Sequence, residues 1–136
     1  MSELLLLFAF VWMGVSALLG LFLGIRHVGV AERLDALAQA GRLSEYHREH
    51  TAFRWTVTVH AHGFLFSVVC ALIALILPRL SLPAMAIDVL VPGLIAASVV
   101  WTASALARIR PLMGLADFAF LGAVLTTALG LARAFQ

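Results

Sequence analysis

The chain alternates long uncharged stretches with short charged breaks. No residue from Leu4 to Ile25 is charged. At about 1.5 Å per residue a helix of this run covers roughly the 30 Å of bilayer hydrocarbon. A second uncharged stretch lies between Arg54 and Arg79, a third between Arg79 and Arg108 is broken only by Asp88, and a fourth between Arg110 and Arg133 only by Asp117. Only Glu3, and no basic residue, precedes the first run, which also exceeds the apolar core of a cleaved signal peptide, so it reads as a permanent span. The pattern predicts an all-α, polytopic membrane four-helix bundle in one domain, 1–136. The spans are expected at about 4–25, 55–78, 83–107 and 111–133, and residues 26–54 form a long polar, partly helical first loop.

The links differ in kind. Pro78 to Pro83 and Arg108 to Pro111 are tight and force antiparallel neighbours. In the long link Val30, Leu34 and Leu37 share one helical face, Gly41 can end that helix, and Ser44 followed by Glu45 reads as a cap for the next. This predicts either a helical hairpin continuing the first two spans or a segment lying in the membrane plane.

Composition agrees with the pattern. Apolar residues make up 63% and charged residues 12%, against about half and a quarter in soluble domains, and mean hydropathy is +1.07, which excludes a water-soluble monomer. The net charge of +2, carried entirely by arginine, is too small a bias for nucleic-acid binding. Cys70 is the only cysteine, so no intrachain disulfide or paired redox thiol exists. Arg26, Arg33, Arg42, Arg48, Arg54, Arg108 and Arg110 flank loops one and three, against Arg79 and Arg133 on the other side. The positive-inside rule then puts loops one and three in the cytoplasm and both termini outside, in the periplasm for a bacterial inner-membrane protein.

Ionisable groups within hydrocarbon are functional candidates by default. They are His60, His62, Asp88 and Asp117, with His27 at the boundary. At 100° per residue His60 shares a stripe with Gly63, Phe64, Ser67, Ala71 and Ala74, mostly small residues, which points it into the bundle as a ligand, a proton-relay group or a hydrogen-bonded packing residue. His62 falls on the bulky side with Leu65, Phe66, Val69 and Ile73, the face expected to meet lipid or another subunit, so the two imidazoles cannot hold one small ion. Ser16, Gly20 and Gly24 form a small-residue row on the first span that matches the His60 stripe, and His27 continues it. Asp117 is expected at the depth of His27 and His60, within reach of them or of Arg108 and Arg110. Asp88 is expected near Arg79, with Pro92 bending its helix. Both carboxylates are candidates for supporting or proton-relay roles. His47 and His50, at i, i+3, could hold a metal or simply face solvent.

The stretch Val59-His60-Ala61-His62-Gly63 resembles the H-x-H element of the haem-copper oxidase superfamily, where two histidines on opposite helix faces serve two different haems. It is also similar to the V-H-x-H-L segment of small four-span membrane proteins grouped with that superfamily. The likeness covers about ten residues, with Gly20 to His27 matching more loosely. It implies His60 and His62 as axial ligands, with His27 as a further cofactor contact, haem b as the cofactor with copper as an alternative metal, and a role in electron transfer or in a respiratory-type complex. The copper-site histidines and cross-linked tyrosine of the full oxidases have no counterpart. By topology the chain also resembles the trimeric membrane-associated proteins of eicosanoid and glutathione metabolism, with Arg48, Glu49, His50 and Arg54 as their glutathione approach, although the Asn and Glu expected in their second helix are absent. A third possibility is a non-catalytic accessory subunit. The expected partners are the bilayer and either further copies of the chain or a larger membrane complex. A small multidrug exporter is disfavoured because the first span lacks an acidic residue between Glu3 and Arg26.

Overall fold

The computed structural model describes all residues, Met1–Gln136. It contains α1 (Ser2–Gln39), α2 (Leu43–Ile76), a single 3₁₀ turn (Leu77–Arg79), α3 (Ala84–Leu106) and α4 (Arg110–Ala134), with no strand. All four helices are long and apolar enough to cross a membrane, and the protein is an all-α four-helix bundle. The long link resolves in favour of the hairpin. Helix α1 continues unbroken through Arg26 to Gln39, and α2 starts at Leu43, well before the expected span.

Gly41, at φ +69°, ends α1. Its own N–H returns to the Ala38 carbonyl, and that of Arg42 to the Leu37 carbonyl, the Schellman closure that a left-handed residue permits. The tight turn makes Arg42, not Ser44, the N-cap of α2, and no side chain caps that helix. An ion pair between Arg33 and Glu49, at 2.7 Å, ties the two arms of the hairpin together.

Helices α1 and α2 pack along each other, as do α3 and α4, and the two hairpins meet mainly through α2 and α3. Phe66 on α2 also reaches Phe120 on α4, with ring centroids 4.4 Å apart. The core runs from Leu5 and Ala9 through Val59, Phe66, Cys70 and Ile73 to Leu94, Trp101 and Ala105. The face bearing His62, Phe66 and Ile73 is therefore turned inward. Phe66 and Ile73 are 5% and 4% exposed, which corrects the expectation that this face meets lipid. Trp101 of α3 and Phe120 of α4 lie against it, whereas small residues serve the close approach of α1.

The α2–α3 link is pinned at the end of α4, where the Ser81 N–H donates to the Gly130 carbonyl at 3.0 Å. A β-carbon on Gly130 would stand 2.6 Å from Leu82 Cγ. Gly130→Ala should therefore destabilise the bundle by about 1–2 kcal/mol through overpacking, read as a lower unfolding midpoint in detergent; an unchanged midpoint would show that the link yields freely.

Candidate functional site

The site is built where the α1 and α2 arms begin to diverge. Near the membrane interior the small residues bring the backbones together, as their stripe predicts. Ser16 is buried opposite Gly63, whose added β-carbon would lie 2.9 Å from Ser16 Oγ. Gly20 faces His60, and a β-carbon there would lie 2.6 Å from Cε1 and 2.8 Å from Nε2 of the imidazole. The ring thus rests on the α1 backbone, in a place only glycine leaves open. Nδ1 of His60 is buried and has no hydrogen-bond partner, a state that costs about 1–3 kcal/mol for a polar group.

From this point outward the helices enclose a cleft of about 790 Å³, within the range of small-molecule and cofactor sites. Gly20, Leu23 and His60 line its end toward the membrane interior. Gly24, His27, Val30, Ala31 and Leu34 line the α1 wall, and Val57, Phe53, Arg54, His50 and Tyr46 line the α2 wall. The His27 ring lies 5.8 Å from that of Phe53 across the gap, and His50 stacks on Tyr46 at 5.7 Å. Asp35 is the one carboxylate along the lining. The cleft is apolar near His60 and becomes polar toward the turn, because α1 and α2 leave their uncharged segments at Arg26 and Arg54 while continuing as helices.

His62 is elsewhere. It stacks nearly parallel on Trp101 of α3, with centroids 4.6 Å apart and 11° between the planes. Its Nδ1 donates to the Thr58 carbonyl at 3.0 Å, which fixes the tautomer and leaves Nε2 as the unprotonated nitrogen of the neutral ring. The two histidines of the H-x-H element therefore face different helix pairs.

Asp117 and Asp88 lie on exposed positions of α4 and α3 and make no hydrogen bond or ion pair within the chain. Asp117 does not turn toward His60, because Ala116 and Phe120 supply the buried face of α4, and Asp88 forms no ion pair with Arg79. Asp88 likewise leaves Leu90 and Val91 to face the core. His47 and His50 meet the Tyr46 ring edge-on and in parallel respectively, so the tyrosine sits with both. No group of three or more His, Cys, Asp or Glu side chains converges as a metal site.

Sequence reasoning did not assemble the cleft. Tyr46, His50, Phe53, Val57 and His60 recur at helical spacing along one face of α2, and Leu23, His27, Val30 and Leu34 do so on α1. Each stripe crosses the boundary between an uncharged span and the polar segment 26–54, so its two halves were read separately. No protein-family model, curated protein or solved structure matches the chain.

Proposed function

We propose that this integral membrane protein binds haem b in the α1–α2 cleft, where His60 would hold the iron and His27, on the opposite wall, would be the second histidine contact. The observation that carries this reading is the His60 imidazole, which lines the cleft and has a buried nitrogen without a hydrogen-bond partner. A neutral imidazole nitrogen is the donor haem iron takes in histidine-ligated proteins. The apolar end suits the macrocycle, and Arg54 at the polar end suits acidic substituents. When bound, the haem would supply one-electron transfer. The protein would hold it against Leu23, Phe53 and Val57, the apolar side chains that line the cleft. By the arginine distribution the polar end faces the cytoplasm of a bacterial inner membrane.

Absorption spectra of detergent-purified protein test the reading. The wild type should show a Soret band that shifts on reduction. In His60→Ala its intensity per protein should fall to about a tenth or less, since losing even a hydrogen-bond partner of a ligand typically costs tenfold or more. His62→Ala should retain the band. A colourless wild type, or a band lost with His62 and kept without His60, sinks the proposal; the colourless outcome would favour an accessory subunit of a larger complex.

A second reading draws on the same cleft, where Tyr46, His50 and Arg54 cluster as a phenol, an imidazole and a cation suited to a small anionic thiol peptide. It predicts glutathione-dependent conjugation of a generic electrophile that is lost in Arg54→Ala, with no dependence on His60.

A further inference from the structure

We infer that Arg108 and Arg110, at the turn between α3 and α4, form a site for the phosphate headgroup of an anionic phospholipid. The turn repeats the closure at the end of α1. The Ile109 N–H returns to the Ser104 carbonyl at 2.8 Å and the Arg108 N–H to the Ala105 carbonyl at 3.2 Å, as Arg42 and Gly41 do to Leu37 and Ala38. Both turns place their pivotal residue in the left-handed region, Gly41 at φ +69° and Arg108 at φ +59°. Glycine adopts this conformation freely, while a side chain there is disfavoured. The arginine at the second turn therefore has no backbone reason to be there.

Its surroundings supply a chemical one. A hollow of about 130 Å³ is lined by Thr51, Trp55, Arg108 and Arg110 and contains no carboxylate. It adjoins a broader shallow cleft of about 640 Å³ that adds Arg48 and His47, where the single carboxylate, Glu49, is already paired with Arg33. None of Arg48, Arg108 and Arg110 forms an ion pair. The Trp55 Nε1 donates at 2.9 Å to the Ala105 carbonyl that also accepts from Arg108. That shared acceptor fastens the turn to α2 and sets an indole beside the arginines, at the level where tryptophan marks the bilayer interface. Unpaired guanidiniums bind phosphate oxygens through two parallel hydrogen bonds, and basic pockets between membrane helices take anionic headgroups in this way. A zwitterionic lipid brings its own cation and is disfavoured. The inference is independent of any cofactor in the α1–α2 cleft.

The test measures binding of phosphatidylglycerol and phosphatidylcholine to the full chain in mixed micelles, by native mass spectrometry and by lipid-induced shifts in melting temperature. Phosphatidylglycerol should be preferred. Arg108→Gly and Arg110→Gln should each weaken that preference about fivefold, the effect of one basic residue at an anionic surface, while Arg79→Gln, at the opposite boundary, should leave it unchanged. Arg108→Gly separates recognition from folding, because glycine suits the turn: its lipid-free melting temperature should hold or rise. A fall in that temperature would make Arg108 a structural residue and overturn the inference. So would an undiminished lipid preference in both variants. Displacement of phosphatidylglycerol by millimolar inorganic phosphate would assign the hollow to a soluble ion and overturn the lipid source.

Discussion

Trp101→Ala is expected to remove about 3 kcal/mol of stability, the low end of the range for large aromatic truncations. The indole is 2% exposed and sits where three helices meet. One face stacks on His62 of α2, its edge meets Phe66 at 5.4 Å and 89°, and Phe66 in turn touches Phe120 of α4. Within a bilayer, transferring an apolar side chain from lipid to protein gains little, so what holds these helices is packing itself. The loss is then mostly the cavity left behind, which explains the low end. Trp101→Phe should behave differently. The indole N–H is buried without a partner, so phenylalanine deletes an unsatisfied donor along with part of a ring. Equilibrium unfolding in mixed micelles should show a much smaller penalty for Phe, about 1 kcal/mol, because the smaller cavity is partly offset by loss of the unsatisfied donor. Equal penalties for Ala and Phe would show that the stack is not the joint between the hairpins.

Gly20→Ala is expected to destabilise the α1–α2 pair by about 1–3 kcal/mol, despite alanine's better helix propensity. The added methyl would lie inside the contact distance of the His60 ring, and the neighbour that must give way is a planar imidazole with no flexible end. The change should be rescued by truncating the ring: Gly20→Ala combined with His60→Ala should lie about 1–3 kcal/mol above the sum of the single effects, as for residues in direct contact. Gly63→Ala serves as the comparison. Its methyl meets the Ser16 hydroxyl, which can rotate, so its penalty should be smaller. An additive cycle would mean that the ring does not rest on Gly20, and the cofactor proposal would lose its geometric basis.

The four helices were legible because membrane spans depend on one-dimensional properties. Uncharged length and the positions of arginine suffice to find them, and Gly41 marked the first turn through its conformational freedom. The His60 stripe and its Gly20 partner were also readable, since small residues at matching spacing on two neighbouring helices specify a close approach. What could not be read depends on which helix lies against which. His62 shares its side of α2 with Phe66 and Ile73, a pattern that suits lipid and an aromatic helix neighbour equally. Only the position of Trp101 decides between them. Asp117 lay at a plausible depth, yet depth without rotation left its direction open, and Phe120 took the inward face. The polar segment 26–54 was legible as a helical hairpin, although its sequence suited an in-plane segment as well. Hydropathy marks where the bilayer ends, and helical hydrogen bonding does not stop there.

The continuation of α1 and α2 beyond their uncharged segments gives the molecule an uneven profile along the membrane normal. From Arg26 to Gln39 and back from Leu43 to Arg54 the hairpin adds roughly 20 Å of paired helix, whereas the opposite ends are joined by a short link. Reconstituted in one direction, the protein would add scattering density outside one leaflet and almost none outside the other. Neutron reflectivity on an oriented bilayer would register that imbalance directly, and its height would report whether the two arms stand upright or lie against the headgroups.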